Sequence, residues 1–229
     1  MIVPFFMFAS IPRQLTFAAT HTLFNYPILG RVMRSVGAKP IYRAIDTGEK
    51  GAQAERGTAN EGLLDTLAGI LVEQGRCAIY PEGTAHLGSR PERIKTGPAR
   101  IMLRAIRRSR EAGVPDPALV PVGIHYTDQN KFRERGLLQV HPPMQLPPLP
   151  EEDDAPEPSQ ELLAEFDAAE AADRAWVQAV TGLLAVELER SSQGLDNWDD
   201  RKLLWRTRSL VWVHRARAEG RRGAPTYAG

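Results

Sequence analysis

Between residues 60 and 112, two helix-length apolar patterns enclose one strand-length apolar run, and that alternation leaves few architectures open. Leu63, Leu64, Leu67, Ile70 and Leu71 recur at the 3.6-residue period of a helix. Asn60 stands where a cap belongs, and Gly75 where the helix should stop. Cys77-Ala78-Ile79-Tyr80 then reads as a strand that ends on a Pro-Glu-Gly turn. A second helix is expected from Gly97 to about Ala112, with Met102, Leu103, Ala105 and Ile106 inward and arginines outward. Further strands are expected at 15–19, after the turn at Gly37 (to about Arg43), at 119–124 and at 137–140, with a helical or turn-rich stretch at 23–36 and a polar loop at 46–57. Strands alternating with helices predict an α/β layered domain: a central mixed sheet flanked by helices. Two C-terminal helices, about 160–191 and 199–217, complete the chain.

At 229 residues, with 42% hydrophobic and 25% charged residues, the chain has the composition of an ordinary globular protein. It is long enough to bury a substantial core. Cys77 is the only cysteine, which excludes a disulfide framework and any multi-cysteine metal site and makes a reducing compartment the default. The apolar run from Met1 to Ile11 is too short to cross a bilayer and lacks the charged leader of a signal peptide. It reads instead as part of a buried core.

The net charge of +1 conceals three blocks. Residues 1–146 carry 19 bases against 12 acids, 151–173 carry 10 acids and no base, and 174–229 carry 10 bases against 6 acids. A basic body suits anionic ligands, although any single arginine is more often part of a solvated face. Seven prolines between 142 and 158 accompany the acidic run. The expected organisation is therefore an α/β domain at 1–146, an acidic proline-rich linker at 147–159 and a helical segment at 160–229.

Tyr80-Pro81-Glu82-Gly83-Thr84 is the sharpest local signal. It follows an apolar strand, and the carboxyl ends of strands in α/β sheets are where ligands bind. Glu82 can fix the loop through hydrogen bonds, and Gly83 lets backbone N–H groups approach an anion. A tight turn with a solvated glutamate is the plainer alternative.

Three blocks together, Gly37-Ala38-Lys39-Pro40-Ile41-Tyr42-Arg43, Tyr80 to Thr84 and Val120-Pro121-Val122-Gly123-Ile124, come in an order and at spacings that resemble the second, third and fourth sequence blocks of the glycerolipid acyltransferase family. That family includes the 1-acylglycerol-3-phosphate acyltransferases. Phe24 with Pro27-Ile28-Leu29-Gly30, and the run from Lys95 to Ile101, fit the same pattern, so the resemblance spans about residues 10–140. It implies transfer of a fatty acyl group from acyl-CoA or acyl carrier protein to a glycerophosphate-type hydroxyl in phospholipid synthesis. The acyl donor is a co-substrate, and no metal or redox cofactor is implied.

Carried over position by position, Arg43 resembles the family arginine that contacts the acceptor phosphate, a role its forked guanidinium suits. A strand-end arginine in a surface ion pair is the alternative. Glu82, Gly83 and Thr84 match the third block, but the arginine that usually follows is Ala85 here, with His86 after it. Loss of that arginine puts lysophosphatidic acid in doubt as acceptor. Lys95, at the head of a helix whose N-terminus favours anions, is the cation that can compensate. Pro121 resembles positions lining the acyl-donor region, or is a buried edge-strand proline.

The family's first block, His, four residues, then Asp, supplies a general base and the carboxylate that orients it. Here it is missing. The five histidines are His21, His86, His125, His141 and His214, and none has Asp five positions later. His214 has Glu219 there, far downstream in a basic helix. The block should precede the segment 1–12, so the chain is expected to begin just after it and to be inactive as it stands. The alternative is a catalytically silent lipid- or acyl-donor-binding module of the same fold. Expected partners are the acyl donor, a glycerophospholipid-type acceptor and an anionic membrane surface, at the cytoplasmic inner face, and not nucleic acid. The basic C-terminal run with Trp198, Trp205 and Trp212 either lies on a bilayer or packs onto the domain.

Overall fold

The computed structural model describes residues 15–20, 24–35, 37–41, 53–83, 88, 91–126, 136–191 and 198–220. They form a mixed α/β arrangement that divides into two compact units. The first comprises residues 1–83, 95–118 and 147–181; the second comprises 84–94, 119–146 and 182–229. Among the described residues, no helix is long and apolar enough to cross a membrane.

In the first unit, β1 (Thr16–Thr20), β2 (Lys39–Ile41) and β3 (Cys77–Ala78) make a parallel sheet in the order β2-β1-β3. Parallel neighbours need a crossover rather than a hairpin. Helix α1 (Pro27–Ser35) connects β1 to β2, and α2 (Gln53–Val72) connects β2 to β3. The register pairs Ala18 with Lys39 and Phe17 with Ala78, and Leu15 and Phe17 are buried.

Helix α2 starts at Gln53, seven residues before the expected cap, so Asn60 lies inside the helix and 53–57 are not loop. Gln53, Ala54, Glu55 and Arg56 are all good helix formers, and they outweigh the cost of Gly57. The C-terminal stop falls where expected, but Gln74 rather than Gly75 takes the left-handed conformation, at φ 59°. Gly75 N–H donates to the Ile70 carbonyl and Gln74 N–H to that of Leu71, closing a Schellman motif.

Helix α3 (Gly97–Glu111) packs on α2. Leu63, Leu67 and Ala68 of α2 meet Ile101 and Ala105 of α3, with Cys77 and Ile79 of the β3 segment against them. Ala68 and Ala105 are fully buried, and such small side chains let the two helices approach closely. Burial pushes the Cys77 thiol up to about 11, and it donates weakly to the Leu67 carbonyl.

The outward arginines of α3 are mostly engaged. Arg100 and Arg104 both donate to Glu61, and Arg104 and Arg108 to Asp65, so an i, i+4 pair of acids on α2 faces bases spaced by four on α3. The Arg104 guanidinium beside Glu61 holds its carboxyl below the ordinary value of 4.5. A carboxyl whose folded value is depressed stabilises the fold above 4.5 and loses that contribution as pH falls through the folded value. The part of the melting temperature that Glu61 contributes should therefore be constant from neutral pH to about 4.5 and then decline, and Glu61→Gln should remove that part of the pH dependence. Since Glu61 is 42% exposed, the effect should be about 1 kcal/mol or less.

The acidic proline-rich stretch also contributes partners. Glu151 and Asp173 accept from Arg107, and Glu152 and Asp116 from Arg110. Leu149 is buried, and residues 147–181 group with the first unit by their contacts. The expected single helix at 160–191 is two, α4 (Gln160–Glu165) and α5 (Ala168–Ser191). Asp167 accepts from Glu170 N–H and so caps α5, in a pattern readable as Asp-x-x-Glu. Arg174 then lies over the Phe166 ring at 3.6 Å and bridges to Glu170.

In the second unit, β4 (Val122–Tyr126) and β5 (Gly136–Val140) form an antiparallel pair, Val122 opposite Val140 and Tyr126 opposite Gly136. The pairing continues outward through His141 N–H to the Pro121 carbonyl and Met144 N–H to that of Leu119. The last helix, α6 (Trp198–Ala218), also belongs to this unit.

Candidate functional site

The strand order β2-β1-β3 places the sheet's reversal between β1 and β3, because the chain leaves β1 on one side for β2 and on the other reaches β3. In open parallel sheets, ligands bind outside the carboxyl ends of the strands at such a reversal. The segment emerging from the carboxyl end of β3 is the Pro81-Glu82-Gly83 turn.

Gly83 N–H donates to the Tyr80 carbonyl at 3.1 Å, closing a four-residue turn with Pro81 in its second position and Gly83 in its last. Gly83 has φ +69°, which L side chains rarely adopt. Lys95 N–H donates to the Pro81 carbonyl at 2.9 Å and so brings the returning chain alongside the turn. The Lys95 side chain then lies directly over Gly83. A Cβ added at Gly83 would stand 2.7 Å from Lys95 Nζ and 3.1 Å from its Cδ and Cε. Glycine is thus required twice, for its backbone conformation and for the space that the ammonium stem occupies.

Immediately after Lys95 comes the start of α3. Thr96 occupies the cap position in a helical conformation and makes no side-chain capping bond, and proline stands in the first turn, where its missing N–H costs nothing. The positive end of the helix dipole therefore adds to the Lys95 ammonium beside the turn. The combination can hold an anion of phosphate size at the sheet's carboxyl edge.

Of the residues singled out in the sequence, Glu82, Gly83 and Lys95 are brought into one place, with Glu82 half-buried in the turn. Arg43 and Thr84 lie outside the described residues. Pro121 is buried in the second unit, where its carbonyl extends the β4–β5 pairing. The arginines of α3 do not join the site: Arg100, Arg104, Arg107, Arg108 and Arg110 are all paired with carboxylates. Their partners lie 6 to 66 residues away in sequence, so local sequence does not show the pairing. Among the described residues, no group of three or more His, Cys, Asp or Glu side chains is placed to hold a metal ion.

A family model described as Acyltransferase matches residues 1–125. That span contains β1, β2, β3, the Gly83 turn and α3, and it ends within β4. No curated protein and no solved structure matches the chain.

Proposed function

Because the chain belongs to the acyltransferase family, whose model covers more than half of its 229 residues, we propose that its α/β domain binds an acyl thioester and a glycerophosphate-type acceptor for fatty acyl transfer. The observation that carries this reading is the Lys95 ammonium laid over Gly83 at the carboxyl edge of the sheet. In the reaction the acceptor hydroxyl gives its proton to a base, its oxygen bonds to the thioester carbonyl carbon, and the carbon–sulfur bond breaks to release the thiol. Acyl-CoA and acyl carrier protein both present such a thioester. Lys95, with Arg43 as the expected second cation, would fix the acceptor phosphate.

On this reading the general base is not among these residues, since no histidine is followed five residues later by aspartate. The same observation favours a second reading, in which the domain binds acyl donor or lipid without turning it over. Both readings expect negligible thiol release when the purified chain is given a long-chain acyl-CoA and lysophosphatidate. Robust turnover would overturn the assignment of the missing base. Binding is read separately, by calorimetry with glycerol 3-phosphate. Lys95→Ala should weaken that binding on the order of tenfold, as expected for losing a charged hydrogen bond to phosphate. Arg43→Ala should do the same. Unchanged affinity in either variant removes that residue from the site.

A further inference from the structure

Helix α6 carries apolar residues on two opposite sides. Trp212 is half-buried and Ala216 buried, four residues apart and therefore on one face. On the other side, Leu203 and Leu210 are 64% and 72% exposed, and Leu204 and Val211 are 45% and 46% exposed. Both pairs are spaced by seven, so at 3.6 residues per turn they form one outward stripe two turns long. Thr207, in the middle of the stripe, donates its hydroxyl to the Leu203 carbonyl, which leaves its methyl group as the outward feature. Arg206 and Arg217 border the stripe on one edge and Arg215 on the other, and all three are exposed.

We propose that this outward face of α6 docks on the surface of an anionic lipid bilayer. Exposed leucines flanked by arginines suit an interface in which the apolar stripe enters the acyl boundary and the guanidinium groups remain at the phosphates. Charge decides between a bilayer and a second copy of the chain. From Arg201 to Arg217 the helix has six basic residues and no acidic one. A second copy would bring the same three bordering arginines to the stripe, whereas anionic headgroups neutralise them. The helix lies on the bilayer rather than crossing it, since it is not apolar enough to span. The inference deepens the reading of a lipid-directed acyltransferase by naming the face that meets the lipid.

The test is co-sedimentation of the full chain with vesicles of about three parts phosphatidylcholine to one part phosphatidylglycerol, against phosphatidylcholine alone. Binding is expected to the anionic vesicles only, and to fall as salt is raised. The double variant Leu203→Ser/Leu210→Ser should weaken it on the order of tenfold or more, because both side chains leave water on docking. Arg206→Gln/Arg217→Gln should weaken it and reduce its salt dependence. All four positions are exposed, so the melting temperatures should stay at the wild-type value, and single Leu210→Gln serves as a milder variant. No binding by the wild-type chain, or equal binding by the leucine variants, overturns the proposal. A leucine variant that changes only the oligomeric state overturns it in favour of a second copy. Lys95→Ala should leave sedimentation unchanged, so membrane docking and acceptor binding can fail independently.

Discussion

Replacing Trp176 with alanine should lower the unfolding free energy by about 3–5 kcal/mol, the usual range for deleting a fully buried large aromatic side chain. Trp176 is completely buried, as are Val180, one turn after it, and Ala171, five residues before it. Its indole N–H donates to the Pro147 carbonyl at 3.2 Å, tying the proline-rich stretch to α5. Truncation therefore removes the ring, opens a cavity and leaves that carbonyl without its donor. For a chain of this length, the loss corresponds to a fall in melting temperature of roughly 10 °C. Trp176→Phe keeps most of the buried surface but not the hydrogen bond, and should cost about 1–2 kcal/mol. Urea unfolding of the two variants checks both figures. A loss below about 1 kcal/mol for the alanine variant would mean that residues 147–181 are not held to the first unit by this ring.

The consequence extends to α3. Asp173 lies three residues before Trp176 on the same helix and accepts from the Arg107 guanidinium, pushing its pKa further up, with Glu151 as the second partner. Exposed pairs of this kind contribute little by themselves. Loosening α5 in Trp176→Ala should make proteolysis between residues 147 and 159 faster while leaving the β4–β5 pair intact.

What could be read from the sequence and what could not divide along a physical line. Helix α3 is legible because its apolar residues recur at a helical period and proline and glycine mark its first turn. The strand–turn unit at 77–83 is legible because local chemistry dictates it: an apolar run, then Pro81 and Gly83 in the positions a turn prefers. The start of α2 is not legible in the same way, because Asn60 has the chemistry of a cap and yet lies inside a helix that the good helix formers before it extend back to Gln53. The break between α4 and α5 is encoded by Asp167-Ala-Ala-Glu170 but masked by the good helix formers around it. Trp176 carried no local mark at all; its burial is a property of the packed unit. The same holds for the site. The third block pointed to Gly83 and the adjoining run to Lys95, but their direct juxtaposition follows from Lys95 N–H closing on the Pro81 carbonyl, a contact across 14 residues. The arginines, which composition offered as anion attractors, are spent on carboxylates that only the fold brings near.

Gly83→Ala separates the two requirements that meet at the turn, and its expected result is a loss in both stability and anion affinity. Holding an alanine at φ +69° costs about 1–2 kcal/mol, because its Cβ crowds the neighbouring carbonyl in the left-handed region. The steric conflict with Lys95 is different in kind. The nearest atom, Nζ at 2.7 Å, is the end of a flexible chain, so it moves aside and the fold survives. The displaced ammonium no longer stands over the turn, and glycerol 3-phosphate affinity should fall on the order of tenfold, the loss also expected for Lys95→Ala. Gly113 supplies the control, since it has φ +66° but nothing within 4 Å of an added Cβ. Gly113→Ala should show the stability loss with no change in affinity. In a Lys95→Ala background, Gly83→Ala should cost stability again but add little further loss of affinity, because the two substitutions remove the same contact. Additive affinity losses in that double-variant cycle would show that the Gly83 backbone meets the ligand itself, rather than only making room for the lysine.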